Sequence, residues 1–114
     1  MILTSTKPFS NAEIKQLSEQ FEVFIKTVFD FQRKICCAGS ERHVDCEQIL
    51  LKDGSKQQYL WGGGIYLKTQ LITYDSAINI RPSDGNRSIE LIDGPKRAIF
   101  EELTYQFFPE IFND

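Results

Sequence analysis

Glu22-Val23-Phe24-Ile25-Lys26-Thr27-Val28-Phe29-Asp30-Phe31 decides how this chain folds. It follows an amphipathic segment and could prolong a helix. Yet it is dense in β-branched and aromatic residues and poor in strong helix formers, which favours a strand. Polar Gln32-Arg33-Lys34 comes next, then apolar Ile35-Cys36-Cys37-Ala38, closed by Gly39-Ser40. This layout predicts a hairpin with strands over 23–31 and 34–39.

Upstream, Ser10-Asn11-Ala12-Glu13 has the spacing of a capping box, with Phe9 and Ile14 placed as a hydrophobic staple. Ile14, Leu17 and Phe21 continue one helical face, so a helix is expected over 11–21. Downstream, Cys46, Ile49 and Leu50 form a short apolar face, Asp45 is the expected N-cap and Gly54 the stop. That gives a second helix over 45–52. Residues 59–67 read as a strand interrupted by Gly62-Gly63-Gly64, a sign of a bulge or of something approaching the backbone. A turn at 68–70 leads to a return strand over 71–74 and 77–81, kinked at Asp75-Ser76. Alternation places Ile78 and Ile80 on its core face, Asn79 and Arg81 on the other. Pro82 to Asn86 is turn chemistry, and 89–92 a short bridge. Asp93-Gly94-Pro95 starts a third helix over 95–107, after which 108–112 carries exposed-looking apolar residues.

The expected order is α-β-β-α-β-β-α. The simplest assembly is an α+β fold in which two hairpins form a four-stranded antiparallel sheet, with three helices on one face. The length of 114 residues suits a single domain, 1–114.

Composition narrows the class of function. An apolar fraction of 41% is that of a folded chain, and nine Phe imply a bulky core or an apolar association surface. A net charge of −3 works against nonspecific nucleic-acid binding. Three cysteines, two of them adjacent, are no disulfide framework, and Cys36 and Cys37 would face opposite sides of a strand. All three are expected to be reduced in a cytoplasmic protein. No signal peptide and no membrane span are expected.

Two blocks resemble a family of small prokaryotic proteins of unknown function. One runs from His43 to Trp61, the other from Tyr74 to Ser88. The resemblance implies a strand pair after the first helix and transfers no activity. The chain departs from the family pattern at Gly63-Gly64, where bulkier residues are usual, and in a shorter turn near Lys68.

Five constellations carry chemistry. The loop 81–88 brings together Arg81, Asn86, Arg87 and Ser88 around a glycine turn, and guanidiniums suit phosphate or carboxylate. Its competing reading is turn chemistry with Arg81 paired to Asp75 or Glu47. His43-Val44-Asp45-Cys46-Glu47 contains metal-ligand types, but with one histidine in the chain no metal site is expected. His43 is also the one side chain with an ordinary pKa near neutrality. Cys36-Cys37 on an apolar strand reads as inert thiol. Tyr59, Trp61 and Tyr66 flank the glycines, and core packing is the expected role of Trp61.

The function these residues suggest is a binding or interaction protein, without cofactor, that recognises an anionic or phosphate-bearing ligand. The expected ligand residues are His43, Asp75, Asn79, Arg81, Asn86, Arg87 and Ser88. Two alternatives stand beside it. One is a small metal-independent nuclease or phosphodiesterase using His43 with Arg81 and Arg87. The other is a structural partner subunit of a two-component system. A homo-oligomer, dimer favoured, is expected through a sheet edge or the Phe-rich C-terminal helix.

Overall fold

The computed structural model describes residues 1–112. The decisive segment is a strand. β2 (Phe24–Asp30) pairs antiparallel with β3 (Ile35–Ala38), and Asp30 Oδ1 accepts from the amides of Gln32 and Arg33 to fold the turn between them. The second hairpin is β4 (Leu60–Tyr66) with β5 (Leu71–Thr73). β2 and β4 join the hairpins edge to edge, from Phe24 opposite Tyr66 to Asp30 opposite Leu60.

The sheet has five strands, not four, in the order β1-β3-β2-β4-β5. The unexpected strand is β1 (Leu3–Ser5), antiparallel to β3. Three residues are too short for alternation to show in sequence, and β3 supplies the partner.

The helices also differ from expectation. α1 (Asn11–Gln20) starts at the capping box as predicted, with both reciprocal hydrogen bonds made. α2 (His43–Lys52) begins two residues earlier than expected, so Arg42, not Asp45, is its N-cap. α3 (Gly94–Phe107) is capped by Asp93. A fourth short helix, α4 (Pro109–Phe112), follows.

Nor do the helices share one face. Strand alternation sends Ile25, Phe29, Cys36 and Trp61 into a core with Leu17 of α1 and Phe100, Leu103 and Phe107 of α3. Val28, Ile35, Cys37 and Leu60 point the other way, onto Cys46 and Leu50 of α2. Both faces of the central strands are apolar, so both need cover. The apolar C-terminal run is core rather than surface. Phe107 and Phe108 are fully buried, while Ile111 and Phe112 pack on the same cluster half-buried. Phe9 packs edge-on against Phe107, at 6.1 Å between centroids, and 5.1 Å from Phe108.

The largest correction concerns 77–81. It is not a strand but a 3-10 turn over Ala77–Asn79, with a second one over Pro82–Asp84. Asn79, expected on an outer face, is fully buried, and Ile80, expected on the core face, is about half exposed.

Candidate functional site

Three glycines in β4 prepare the ground. Gly62 and Gly64 face the α2 side, opposite Val28 and Lys26, and Gly63 faces α3. A Cβ at Gly62 would lie 2.8 Å from Ser76 Cβ and 3.0 Å from His43 Cδ2. At Gly63 it would strike the Thr73 carbonyl and sit 2.7 Å from the Phe100 ring. The glycine run marks close approach to the backbone, as its sequence suggested.

His43 lies in that approach. As the first residue of α2 it is carried onto β4, where Nε2 meets the Gly63 carbonyl at 2.6 Å. A neutral imidazole donating there leaves Nδ1 as an acceptor. Burial lowers the His43 pKa; the Gly63 carbonyl opposes the shift and the Lys26 charge reinforces it.

Beside His43 opens a cleft of about 320 Å³ between the start of α2 and the 76–78 segment. Lys26 of β2, residues 41–44 and Ser76, Ala77 and Ile78 line it. Its charges are unevenly committed. Arg42 pairs with Asp45 at 3.0 Å. Lys26 forms no ion pair among the described residues, and its Nζ lies over the Phe24 ring at 5.9 Å from the centroid. Glu41 is exposed. No side chain caps the N-terminus of α2; the Asp45 amide turns back to the Arg42 carbonyl at 3.2 Å, and the amides of His43 and Val44 remain at the positive end of the helix dipole. Ser76 Oγ accepts from the Ile78 amide at 3.3 Å, leaving its proton free to donate.

The loop expected to bind ligand has other work. Arg81 is 7% exposed. Its Nη1 donates to the Gln57 carbonyl, its Nη2 to the Leu60 carbonyl, and its guanidinium stacks 3.8 Å from the Trp61 ring centroid. Its carboxylate neighbour is Asp84, at 3.7 Å from Nε, rather than the expected Asp75 or Glu47. Burial lowers its pKa, against the fields of Asp84 and Glu47. Asn79 Nδ2 donates to the carbonyls of Gly62, Tyr74 and Ile89. Asn86 Nδ2 donates to those of Asn79, Ser88 and Glu90, and its Oδ1 accepts from the Ile92 amide at 3.0 Å. Ser88 Oγ accepts from the Glu90 amide. Asp75 and Arg87 are exposed, Asp75 holding only a backbone bridge to Glu90.

The seven predicted ligand residues therefore divide. His43 lines the cleft. Asn79 and Arg81 fasten the 74–92 segment to the sheet, and Asn86 and Ser88 hold that segment together from within. Asp75 and Arg87 stand at the surface. No hydrogen bond joins His43 to either arginine among the described residues. Trp61 and Gly62, neighbours on β4, face opposite ways, and Arg81 packs on the first while His43 packs on the second.

Sequence reading missed Lys26 and Ser76. The signal for Lys26 was a lone cation amid the apolar residues of β2; Ser76 carried none. No group of three or more His, Cys, Asp and Glu among the described residues could hold a metal ion. No helix among them is long and apolar enough to cross a membrane.

Comparison with known proteins returns a family match. The model of a family described as a protein of unknown function (DUF5674) matches residues 2–107. No curated protein and no solved structure matches the chain.

Proposed function

The chain belongs to the DUF5674 family, and because that family has no assigned activity we propose a function from the cleft: a binding module for a small anion, a phosphate or carboxylate borne on a compact apolar body. The observation that carries this is Lys26, an ammonium without a carboxylate partner, beside His43 and the uncapped start of α2. An anion there would meet the Lys26 charge, backbone amides and the positive end of the helix dipole. Val44, Ala77 and Ile78 supply an apolar wall for the body of the ligand. At about 320 Å³ the cleft lies at the small end of the ligand-pocket range of roughly 300–1,000 Å³, which suits a compound of one ring or less.

The loop 81–88 enters this reading as scaffold. Arg81 spends its two terminal nitrogens on carbonyls, and Asn79 and Asn86 hold the segment that forms one wall of the cleft. The anion-recognising role first assigned to that loop moves to the start of α2.

Calorimetric titration with phenyl phosphate at pH 7.5 tests the proposal. Saturable binding to the wild type is expected, weakened about tenfold or more by Lys26→Ala, which corresponds to about 1.4 kcal/mol. Arg87→Ala is expected to leave it unchanged. No binding by the wild type, or loss with Arg87→Ala and none with Lys26→Ala, would contradict it.

A further inference from the structure

We propose that Cys37 and Cys46 are a buried dithiol that a hydroperoxide-class oxidant converts to a cystine joining β3 to α2. This inference is independent of the cleft and of what binds there. The two thiols come together because the strand pleat sends Cys36 and Cys37 to opposite cores. Cys37 faces α2, while Cys36 sits in the cluster under α1 and α3. The second turn of α2 then sets Cys46 over Cys37, with the sulfurs 2.7 Å apart. That is roughly 0.7 Å beyond the ~2.0 Å length of a disulfide bond, so closure needs an approach of that size.

Around the pair the protons are ordered. Ser40 Oγ lies 3.3 Å from Cys46 Sγ and spends its single proton on the Arg42 carbonyl at 2.7 Å. Cys46 S–H is therefore free to donate to Ser40, and Cys37 S–H to donate to Cys46. This chain of donors runs from the core to the start of α2. Of these contacts, the Cys37 S–H donated to Cys46 Sγ favours the thiolate at Cys46, whose pKa is lowered chiefly by Cys37, while that of Cys37 is raised.

Both sulfurs are shielded, so a small oxidant enters as the first turns of α2 open; helix ends open at low cost. Cys46 thiolate attacks one peroxide oxygen. The S–O bond forms, the O–O bond breaks, and hydroxide leaves to become water, giving the sulfenic acid. Cys37 then attacks that sulfur: S–S forms, S–O breaks, and the departing hydroxide takes up the Cys37 proton as a second water. Two thiol protons and two electrons have passed to the peroxide. Cys36, in the other core, has no sulfur within hydrogen-bond reach among the described residues to complete such a step.

The full-length chain is treated with excess hydrogen peroxide, quenched, unfolded, alkylated and mapped by mass spectrometry. The expected product has lost two hydrogens, carries a Cys37–Cys46 linked peptide, leaves Cys36 alkylated, and returns to three free thiols with dithiothreitol. Cys36→Ala is expected to behave the same, and its cystine form to unfold at higher urea than its reduced form. Three alkylated cysteines after treatment, a linked pair containing Cys36, or Cys46 sulfinic acid beside free Cys37 would each overturn the proposal.

Discussion

Asn79 and Gly62 are joined by a reciprocal pair of hydrogen bonds. The Gly62 amide donates to Asn79 Oδ1 at 2.9 Å, and Asn79 Nδ2 donates back to the Gly62 carbonyl at 2.9 Å. A side-chain amide thus does for β4 what a neighbouring strand residue would do. The same Nδ2 holds the Tyr74 and Ile89 carbonyls. Replacing Asn79 with Ala orphans the buried amide and carbonyl of Gly62, at about 1–3 kcal/mol for each one that water cannot reach, whereas the Tyr74 and Ile89 carbonyls keep the amides of Leu91 and Ser76. Asn79→Ala is expected to lose about 3 kcal/mol. A fall in urea midpoint at unchanged slope would show it, and a loss under about 1 kcal/mol would mean that the loop re-pairs without Asn79.

Arg81 fits its place as a flat fork. Its two terminal nitrogens reach two carbonyls while the plane lies on Trp61, a geometry an ammonium cannot copy. Arg81→Lys is expected to cost about 2 kcal/mol by leaving a buried carbonyl unpaired and losing the stacking. Trp61 is the single tryptophan, so its emission reports both the unfolding curve and the changed surroundings in the folded state.

Gly62 and Gly63 are expected to respond differently to a methyl group. At Gly63 the new Cβ meets the Thr73 carbonyl, a backbone atom fixed by the β4–β5 ladder. Gly63→Ala is expected to lose about 2–3 kcal/mol through overpacking. At Gly62 the Ser76 hydroxyl and the His43 ring can turn aside, and Ser76 Cβ, fixed to its backbone, must move with the turn that Ser76 caps rather than with a strand ladder. Gly62→Ala is expected to cost less stability but to displace the His43 ring, visible as a change in its proton shifts. Equal losses at both sites would contradict this division.

His43 gives the chain a definite pH response. Its folded pKa lies below the ordinary 6.5, through burial first and the Lys26 charge as a smaller contribution. The unfolded chain therefore takes up the proton before the folded one. The contribution of neutral His43 to stability is complete above about 6.5 and declines as pH falls from there through the lowered folded pKa. With one histidine in the chain, its Cε1 proton can be followed without assignment. The midpoint is expected below 6.5 in the free protein. It should rise when the cleft holds benzenesulfonate, whose charge is constant across that range. An unmoved midpoint would place the ligand elsewhere.

Much of the fold was legible because it rests on local signals. The capping box at Ser10, the β-rich run through Val28 and Phe29, and the Asp93-Gly94-Pro95 start each act within a few residues. Segment 77–81 was misread because Asn79 and Arg81 alternate with Ile78 and Ile80 as a strand would, while the bonds that set the backbone go to Gly62, Gln57 and Leu60, far away in sequence. The candidate site was legible only at His43. Polar residues grouped in one loop looked like a ligand site because side chains that bind backbone carbonyls are the same types that bind ligands. Lys26 and Ser76 come beside His43 only through the β2–β4 pairing and the fold of the 74–79 segment, and nothing local announces that.

The most direct test of the cleft as an anion site is an amide-resolved NMR titration of the ¹⁵N-labelled chain with phenyl phosphate. Saturating shifts are predicted at the amides of His43 and Val44, with Lys26, Ser76 and Ala77 following along the same binding curve. Shifts confined to Arg81, Arg87 and Ser88, or none that saturate, would contradict it.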